Sequence, residues 1–137
     1  MHISKPFTIG FVGLGLIGGS IAKSIRRIFP DYTILAYDVD SEALKEAVAD
    51  GTVHQAVTKI GKEFHSCNYI FLCAPVHYNI QYLPILKQYM NPSCILTDVG
   101  SVKTDIYQAV LDEQLTDVFI GGHPMVGSER SGYGAAH

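Results

Sequence analysis

Three glycines near the beginning of the chain have the spacing of a loop that binds a dinucleotide. Gly13, Gly15 and Gly18 form the pattern G-x-G-x-x-G. The pattern follows an apolar run predicted to be a strand, and it opens a segment with helical periodicity. The first glycine allows a tight turn, the second lets a pyrophosphate approach the backbone, and the third lets helix and strand pack closely. We predict that this loop, including Leu16 and Ile17, holds a pyrophosphate rather than being a turn without a ligand.

An acidic residue follows 20 positions after the last of these glycines. Asp38 ends the second predicted strand, where a carboxylate can accept hydrogen bonds from the adenosine ribose and would repel a 2′-phosphate. Asp40 adds negative charge, and no Lys or Arg follows before Lys45. The sequence therefore predicts NAD as the cofactor, in preference to NADP. The alternative is that Asp38 only caps the next helix.

Two further strand ends carry candidate site residues. Cys73, Ala74 and Pro75 end the fourth predicted strand. Small residues and a proline suit a wall that passes close to the cofactor's ribose, although any strand end can carry a proline. Ser101 follows the fifth predicted strand, where it can cap the next helix. Its hydroxyl would also project into the cleft near the nicotinamide, so Ser101 is predicted to contact the cofactor.

A polar, glycine-rich segment, Gly121–Gly132, follows the last predicted strand. Its His123 is flanked by glycines and by the rigid Pro124, which fix a short turn, as the positioning of one side chain requires. The alternative for a histidine in a loop is that it is only solvated. The remaining histidines and the cysteines lack the spacing of metal ligands, so no metal site is predicted.

Strands and helices that could position these residues alternate along the chain. Strands are predicted over 8–12, 32–37, 69–73, 93–97 and 118–120, with a weak one near Val53. Helices are predicted over 16–29, 41–50, 76–90 and 101–115, with Pro84 either kinking the third helix or delaying its start. This alternation predicts an α/β fold of the Rossmann type: a doubly wound, mainly parallel sheet with helices on both faces and strand order 3-2-1-4-5-6. Ligands of such sheets bind beyond the carboxyl ends of the strands, where all the candidate residues fall.

Composition excludes several classes of protein. The 137 residues, 47% hydrophobic and 17% charged, fit one domain with a core and exclude disorder. A formal charge of −3 argues against binding nucleic acid through its phosphates. The uncharged stretch 8–22 contains five glycines and is shorter than the roughly 20 residues of a membrane span, so neither a span nor a targeting segment is predicted. Three cysteines predict reduced thiols in a cytoplasmic protein.

The chain resembles the prephenate and arogenate dehydrogenases of tyrosine biosynthesis. The resemblance rests on Gly13–Ser20 (GLGLIGGS), Thr97–Lys103 (TDVGSVK) and Gly122–Gly132 (GHPMVGSERSG), in that order, and covers essentially the whole chain. Many dehydrogenases share the first segment, whereas the last two together are specific. The resemblance implies oxidative decarboxylation: NAD⁺ takes a hydride from the prephenate ring, and loss of CO₂ gives 4-hydroxyphenylpyruvate. With arogenate the product would be tyrosine.

The resemblance also implies roles for individual residues. His123 would hydrogen-bond the ring hydroxyl and accept its proton, and a pKa near 6.5 makes a neutral imidazole a base around neutral pH. Ser101 would orient that hydroxyl and His123 beside the nicotinamide. Glu129 and Arg130 would shape the mouth of the substrate cleft, and a solvated turn is an equally good interpretation of these two.

Members of this family carry a helical dimerisation domain after the NAD-binding domain. Residues 1–137 are therefore expected to be the NAD-binding half of a homodimeric enzyme, able to bind NAD(H) but with little or no turnover alone. One alternative is a 3-hydroxyacid dehydrogenase of the 6-phosphogluconate dehydrogenase type, which would need different substrate loops and a catalytic lysine on its second domain. Another is a non-catalytic module that senses NAD(H), which leaves the two specific segments unexplained.

Overall fold

Six parallel strands form one sheet in the computed structural model of the chain, which describes residues 6–100 and 103–121. The strands are β1 (Thr8–Val12), β2 (Thr33–Tyr37), β3 (Gln55–Val57), β4 (Tyr69–Leu72), β5 (Ile95–Asp98) and β6 (Phe119–Gly121). Their order across the sheet is β3-β2-β1-β4-β5-β6, and every neighbouring pair is parallel. The predicted Rossmann-type fold and its strand order are confirmed.

Four α-helices connect these strands: α1 (Gly15–Ile28), α2 (Ser41–Ala49), α3 (Val76–Tyr89) and α4 (Thr104–Asp112). Helix α2 begins as predicted, because the Asp40 carboxylate accepts hydrogen bonds from the first-turn N–H groups of Glu42 and Ala43. It is followed by Gly51, whose φ of +83° suits the residue that ends a helix. In the two ranges that the structure describes, no helix combines the length and the apolar character needed to cross a bilayer.

One alternative of the prediction is excluded, and two boundaries differ from it. Helix α3 begins at Val76 with Pro84 inside it, so the late start is wrong. Helix α4 begins at Thr104 with Lys103 in the N-cap position, so the cap predicted at Ser101 is wrong. The weak strand predicted near Val53 is found two residues later, at Gln55–Val57, and Val53 itself is buried just before it.

Two apolar clusters cover the two faces of the sheet. Successive residues of a strand point to opposite faces, and Phe11 belongs to one cluster while the adjacent Val12 belongs to the other. Ala22 of α1 and Leu44 of α2 pack with Phe11, and the buried residues of α3 and α4 pack on the Val12 side. Burial on both faces explains why the strands are continuous apolar runs.

Candidate functional site

The glycine loop lies at the carboxyl end of β1, between the ends of β2 and β4. Gly13 has a φ of +96° and Gly15 a φ of +40°, conformations that side chains rarely adopt. The Gly13 N–H donates to the Tyr37 carbonyl at 2.8 Å. A Cβ on Gly13 would lie 2.7 Å from the backbone nitrogen of Ala74, closer than real Cβ atoms come. The loop is therefore packed closely between the ends of β2 and β4.

The other two glycines of the motif serve different purposes. A Cβ on Gly18 would lie 2.6 Å from the Gly13 carbonyl oxygen, so Gly18 allows α1 to pack closely against the loop. A Cβ on Gly15 would meet no atom within 4 Å, which leaves open space in front of the loop. Among the described side chains none caps the amino terminus of α1, and its first turn has no acidic residue. Free N–H groups at the positive end of a helix dipole suit a phosphate.

Asp38 lies at the end of β2 and holds the glycine loop. Its Oδ2 accepts a hydrogen bond from the Leu14 N–H at 2.6 Å, and its Oδ1 accepts one from the Asp40 N–H at 2.8 Å. Because Asp40 is the residue that caps α2, the interpretation of Asp38 as a helix cap is wrong. The contact with Leu14 was not predicted. A carboxylate oxygen has two lone pairs, so each oxygen can still accept a bond from a ribose hydroxyl.

A groove of about 540 Å³ runs along the ends of β1, β2 and β4, within the range of small-molecule sites, about 300–1,000 Å³. Its lining is Gly13, Leu14, Gly15, Tyr37, Asp38, Val39, Cys73, Ala74, Pro75, Tyr78 and Tyr82. The structure thus brings together six of the predicted cofactor residues. Leu16, Ile17 and Gly18 lie on the first turn of α1 and do not line the groove.

The end of the groove beside Asp38 is aromatic, a feature that the sequence analysis missed. The rings of Tyr37 and Tyr82 meet edge to face with centroids 5.6 Å apart. Burial, together with the hydrogen bond to Tyr37 and the charge of Asp38, raises the pKa of Tyr82 to about 12, so its hydroxyl stays neutral. Tyr78 and Tyr82 are four residues apart on α3, and this i, i+4 spacing was the signal that could have placed them on one helix face.

Cys73 forms part of the groove wall at the end of β4. Burial, and secondly the charge of Asp98, raises the pKa of its thiol to about 12. A thiol that stays protonated is a poor nucleophile. Cys73 therefore fits the predicted role of a small wall residue, and its thiol is not reactive.

Asp98, at the end of β5, is fully buried and has two side-chain partners. Its Oδ1 accepts a hydrogen bond from Asn79 Nδ2 at 3.2 Å, and its Oδ2 pairs with Lys103 Nζ at 2.8 Å. Lys103 Nζ also donates to the Asp98 carbonyl at 2.8 Å. Asp98 and Lys103 thereby bracket residues 99–102, the segment that carries Ser101. Ser101 of this segment was predicted as a site residue, whereas the ion pair between Asp98 and Lys103 was not predicted.

Four predicted residues lie outside the described residues: Ser101, His123, Glu129 and Arg130. The last described residue, Gly121, is paired with Asp98 across β5 and β6. The carboxyl ends of these two strands thus lie at the same edge of the sheet as the glycine loop. Within 6–100 and 103–121, no three His, Cys, Asp or Glu side chains are grouped so that they could hold a metal ion.

The sequence is similar to that of known dehydrogenases. The family described as "Prephenate dehydrogenase, nucleotide-binding domain" matches residues 21–137. The prephenate dehydrogenase of Lactococcus lactis subsp. cremoris is 36% identical over 133 residues, which cover 91% of this chain and 36% of that protein. The family match begins after Gly18, the last glycine of the loop motif.

Two solved structures are similar in both fold and sequence. Prephenate dehydrogenase from Aquifex aeolicus, in complex with hydroxyphenyl propionate and NAD⁺, superimposes with a TM-score of 0.81 at 32% identity, covering 96% of this chain and 46% of that one. Synechocystis arogenate dehydrogenase gives a TM-score of 0.76 at 36% identity, covering 85% and 40%. The chain therefore spans less than half the length of each relative.

Proposed function

Because the chain belongs to the prephenate dehydrogenase family and matches its nucleotide-binding domain, we propose that it binds NAD⁺ and supplies that site for the oxidative decarboxylation of prephenate or arogenate. The observation that carries the proposal is the groove itself. Gly13 and Gly15 leave room for a pyrophosphate at the uncapped end of α1, and Asp38 stands beside that loop with lone pairs free. The matches to prephenate and arogenate dehydrogenases support the reaction class.

Each part of the groove fits one part of the cofactor. The backbone of the glycine loop would hold the pyrophosphate, and Asp38 would accept hydrogen bonds from the adenosine ribose. Val39 and Tyr78 offer exposed apolar surface for the adenine ring. The segment 73–75 would form the wall beside the ribose. When bound, NAD⁺ supplies a hydride acceptor.

The proton chemistry would belong to residues of the two specific segments. His123 would hydrogen-bond the ring hydroxyl of the substrate and take its proton while the ring loses CO₂ and becomes aromatic. Ser101 would orient the hydroxyl and His123, and it lies in the segment bracketed by Asp98 and Lys103. Glu129 would line the mouth of the cleft. The family membership of the chain supports these three assignments.

Binding of NAD⁺ to the 137-residue chain tests the proposal directly. We expect isothermal titration calorimetry to give one site with a Kd between about 1 μM and 1 mM, the usual range for enzyme substrates. Oxidation of prephenate by the same sample should be absent or very slow, because the chain covers 36% of the Lactococcus relative. Absence of heat at millimolar NAD⁺ would contradict the proposed site.

Asp38→Asn is expected to weaken NAD⁺ binding about tenfold and to reduce the discrimination against NADP⁺. The substitution removes the charge that strengthens hydrogen bonds to the ribose and repels a 2′-phosphate, and tenfold corresponds to about 1.4 kcal/mol. Titration of both dinucleotides measures the effect. Asp40→Asn is the matched control, since it removes one charge two residues away and asparagine caps a helix as well as aspartate. If the two substitutions change the affinities equally, only the net charge of the region affects dinucleotide binding, and Asp38 has no specific contact with the ribose.

The family match favours this function over the two alternatives. It covers both segments that a 3-hydroxyacid dehydrogenase or an NAD(H)-sensing module would leave unexplained. We also propose that the chain belongs to a homodimer formed through a helical domain. A cytoplasmic location is part of the same proposal, and both stay predictions. The three free thiols suit the reducing conditions of the cytoplasm.

A further inference from the structure

Asn79 is fully buried near the beginning of α3, although it carries a polar amide. Burying an amide is unfavourable unless it is hydrogen-bonded, and here the amide makes three bonds. Its Oδ1 accepts from the Ala74 N–H at 3.2 Å, and its Nδ2 donates to the Ala74 carbonyl at 2.8 Å and to Asp98 Oδ1 at 3.2 Å. One side chain thus holds both backbone groups of Ala74.

Ala74 is the residue that supports the glycine loop from the β4 side. The backbone nitrogen of Ala74 is 2.7 Å from the point where a Cβ of Gly13 would stand. Any shift of the Ala74 peptide toward the loop would therefore displace Gly13, and a shift away would leave the loop unsupported. On the other side, the Asp38 carboxylate fixes the loop through the Leu14 N–H.

Asp98 in turn fixes Asn79. It is buried at the end of β5, and its other carboxylate oxygen is paired with Lys103. Because Lys103 holds this carboxylate and Asn79 bonds to its second oxygen, the amide of Asn79 has one favourable orientation. Hydrogen bonds thus join β5 to α3 and α3 to Ala74 at the end of β4, which leaves no room for a side chain on Gly13.

We propose that Asn79 is a positioning residue for the NAD⁺ site: it does not itself line the groove but sets the position of the Ala74 peptide against Gly13. The inference rests on the proposed function, because it assumes that NAD⁺ occupies the groove. Substitution of Asn79 should therefore weaken the binding of NAD⁺, although Asn79 does not touch the cofactor. A merely structural role would instead lower the stability of the whole domain and leave the affinity of the folded protein unchanged.

Asn79→Leu separates these two roles. Leucine is similar in size but leaves the Ala74 N–H and carbonyl without partners. We expect the Kd for NAD⁺ to rise at least tenfold, measured by calorimetry at a temperature where circular dichroism shows the variant to be folded. Leu86→Val is the control, because Leu86 is fully buried on the same helix, seven residues farther along. Its Kd should stay within twofold of the original, and an equally small change for Asn79→Leu would overturn the proposal.

Hydrogen exchange in the unaltered chain gives a second test that needs no variant to fold. If Asn79 sets the site in advance, the Ala74 amide is protected from exchange before NAD⁺ is added, and NAD⁺ changes its protection little. An Ala74 amide that exchanges freely until NAD⁺ binds would overturn the proposal. If Asn79→Leu does not fold, hydrogen exchange is the deciding test. Failure of the unaltered chain to bind NAD⁺ would instead reject the proposed function, with the exchange rate of Ala74 still measurable.

Discussion

Gly15→Ala is expected to weaken NAD⁺ binding by at least about 100-fold, or about 2.7 kcal/mol. A Cβ at this position meets no protein atom within 4 Å, so the fold has room for the methyl group. That room lies in the groove where the pyrophosphate is proposed to approach the backbone. The φ of +40° adds a conformational cost of about 1–2 kcal/mol, which lowers the melting temperature without unfolding the domain. Calorimetry with NAD⁺ and thermal unfolding measure the two effects separately.

Gly19→Ala is the matched control for this experiment. It adds the same methyl group on the same helix, and its nearest contact would be the Leu14 carbonyl oxygen at 3.9 Å. Replacing a glycine inside a helix stabilises by about 0.5–1 kcal/mol, so this variant should melt slightly higher and bind NAD⁺ normally. If Gly15→Ala binds NAD⁺ as well as Gly19→Ala does, the pyrophosphate does not lie against Gly15.

His123→Asn is expected to lower kcat for prephenate by about 10²- to 10⁴-fold, the usual contribution of a general base. Asparagine can still hydrogen-bond the ring hydroxyl, but it cannot take its proton. Turnover would be followed as NADH absorbance in a chimaera in which this chain replaces the matching 133 residues of the Lactococcus enzyme. With histidine present, kcat/KM should rise with pH around the imidazole pKa near 6.5, because only the neutral ring accepts a proton. The variant should lose that dependence.

His77→Asn makes the same chemical change at an exposed position close to the groove. The His77 ring lies tilted against the Tyr78 ring, with centroids 4.2 Å apart, and no part of the proposed chemistry uses His77. Its kcat should stay within about twofold of the unaltered chimaera. An unchanged rate in His123→Asn would eliminate the proton-accepting role, and equal losses in both variants would indicate a general effect of losing an imidazole.

The positions of Gly13, Gly15 and Asp38 could be predicted because their chemistry and their backbone geometry leave a local pattern. Apolar runs identify the strands, and glycines mark the turns that only glycine can make. The second role of Asp38 could not be predicted, since its bond to the Leu14 N–H joins residues 24 positions apart. Such a contact depends on the pairing of β1 with β2, which a linear pattern does not contain.

Asn79 shows most clearly what the sequence could not indicate. An asparagine on a helix is ordinarily a surface residue, and one of the hydrogen bonds that allow its burial here is to Asp98, which is 19 positions away on β5. The start of α4 was predicted too early for a related reason. Serine is a better cap than lysine by local preference, and that preference does not include the bonds between Lys103 and Asp98.

The central position of β1 has a consequence for synthesis. Of the six strands, β1 leaves the ribosome before the others and lies in the middle of the sheet. Its pairing with its second neighbour, β4, is completed by a hydrogen bond from the Thr8 N–H to Asn68 Oδ1, 60 residues apart. At about 5–20 residues per second, one edge of β1 stays unpaired for roughly 3–12 s. An unpaired apolar edge can join another chain, so slower translation lengthens the exposure of nascent chains to association. The strand order that brings the groove residues together therefore also leaves the growing polypeptide prone to association during those seconds.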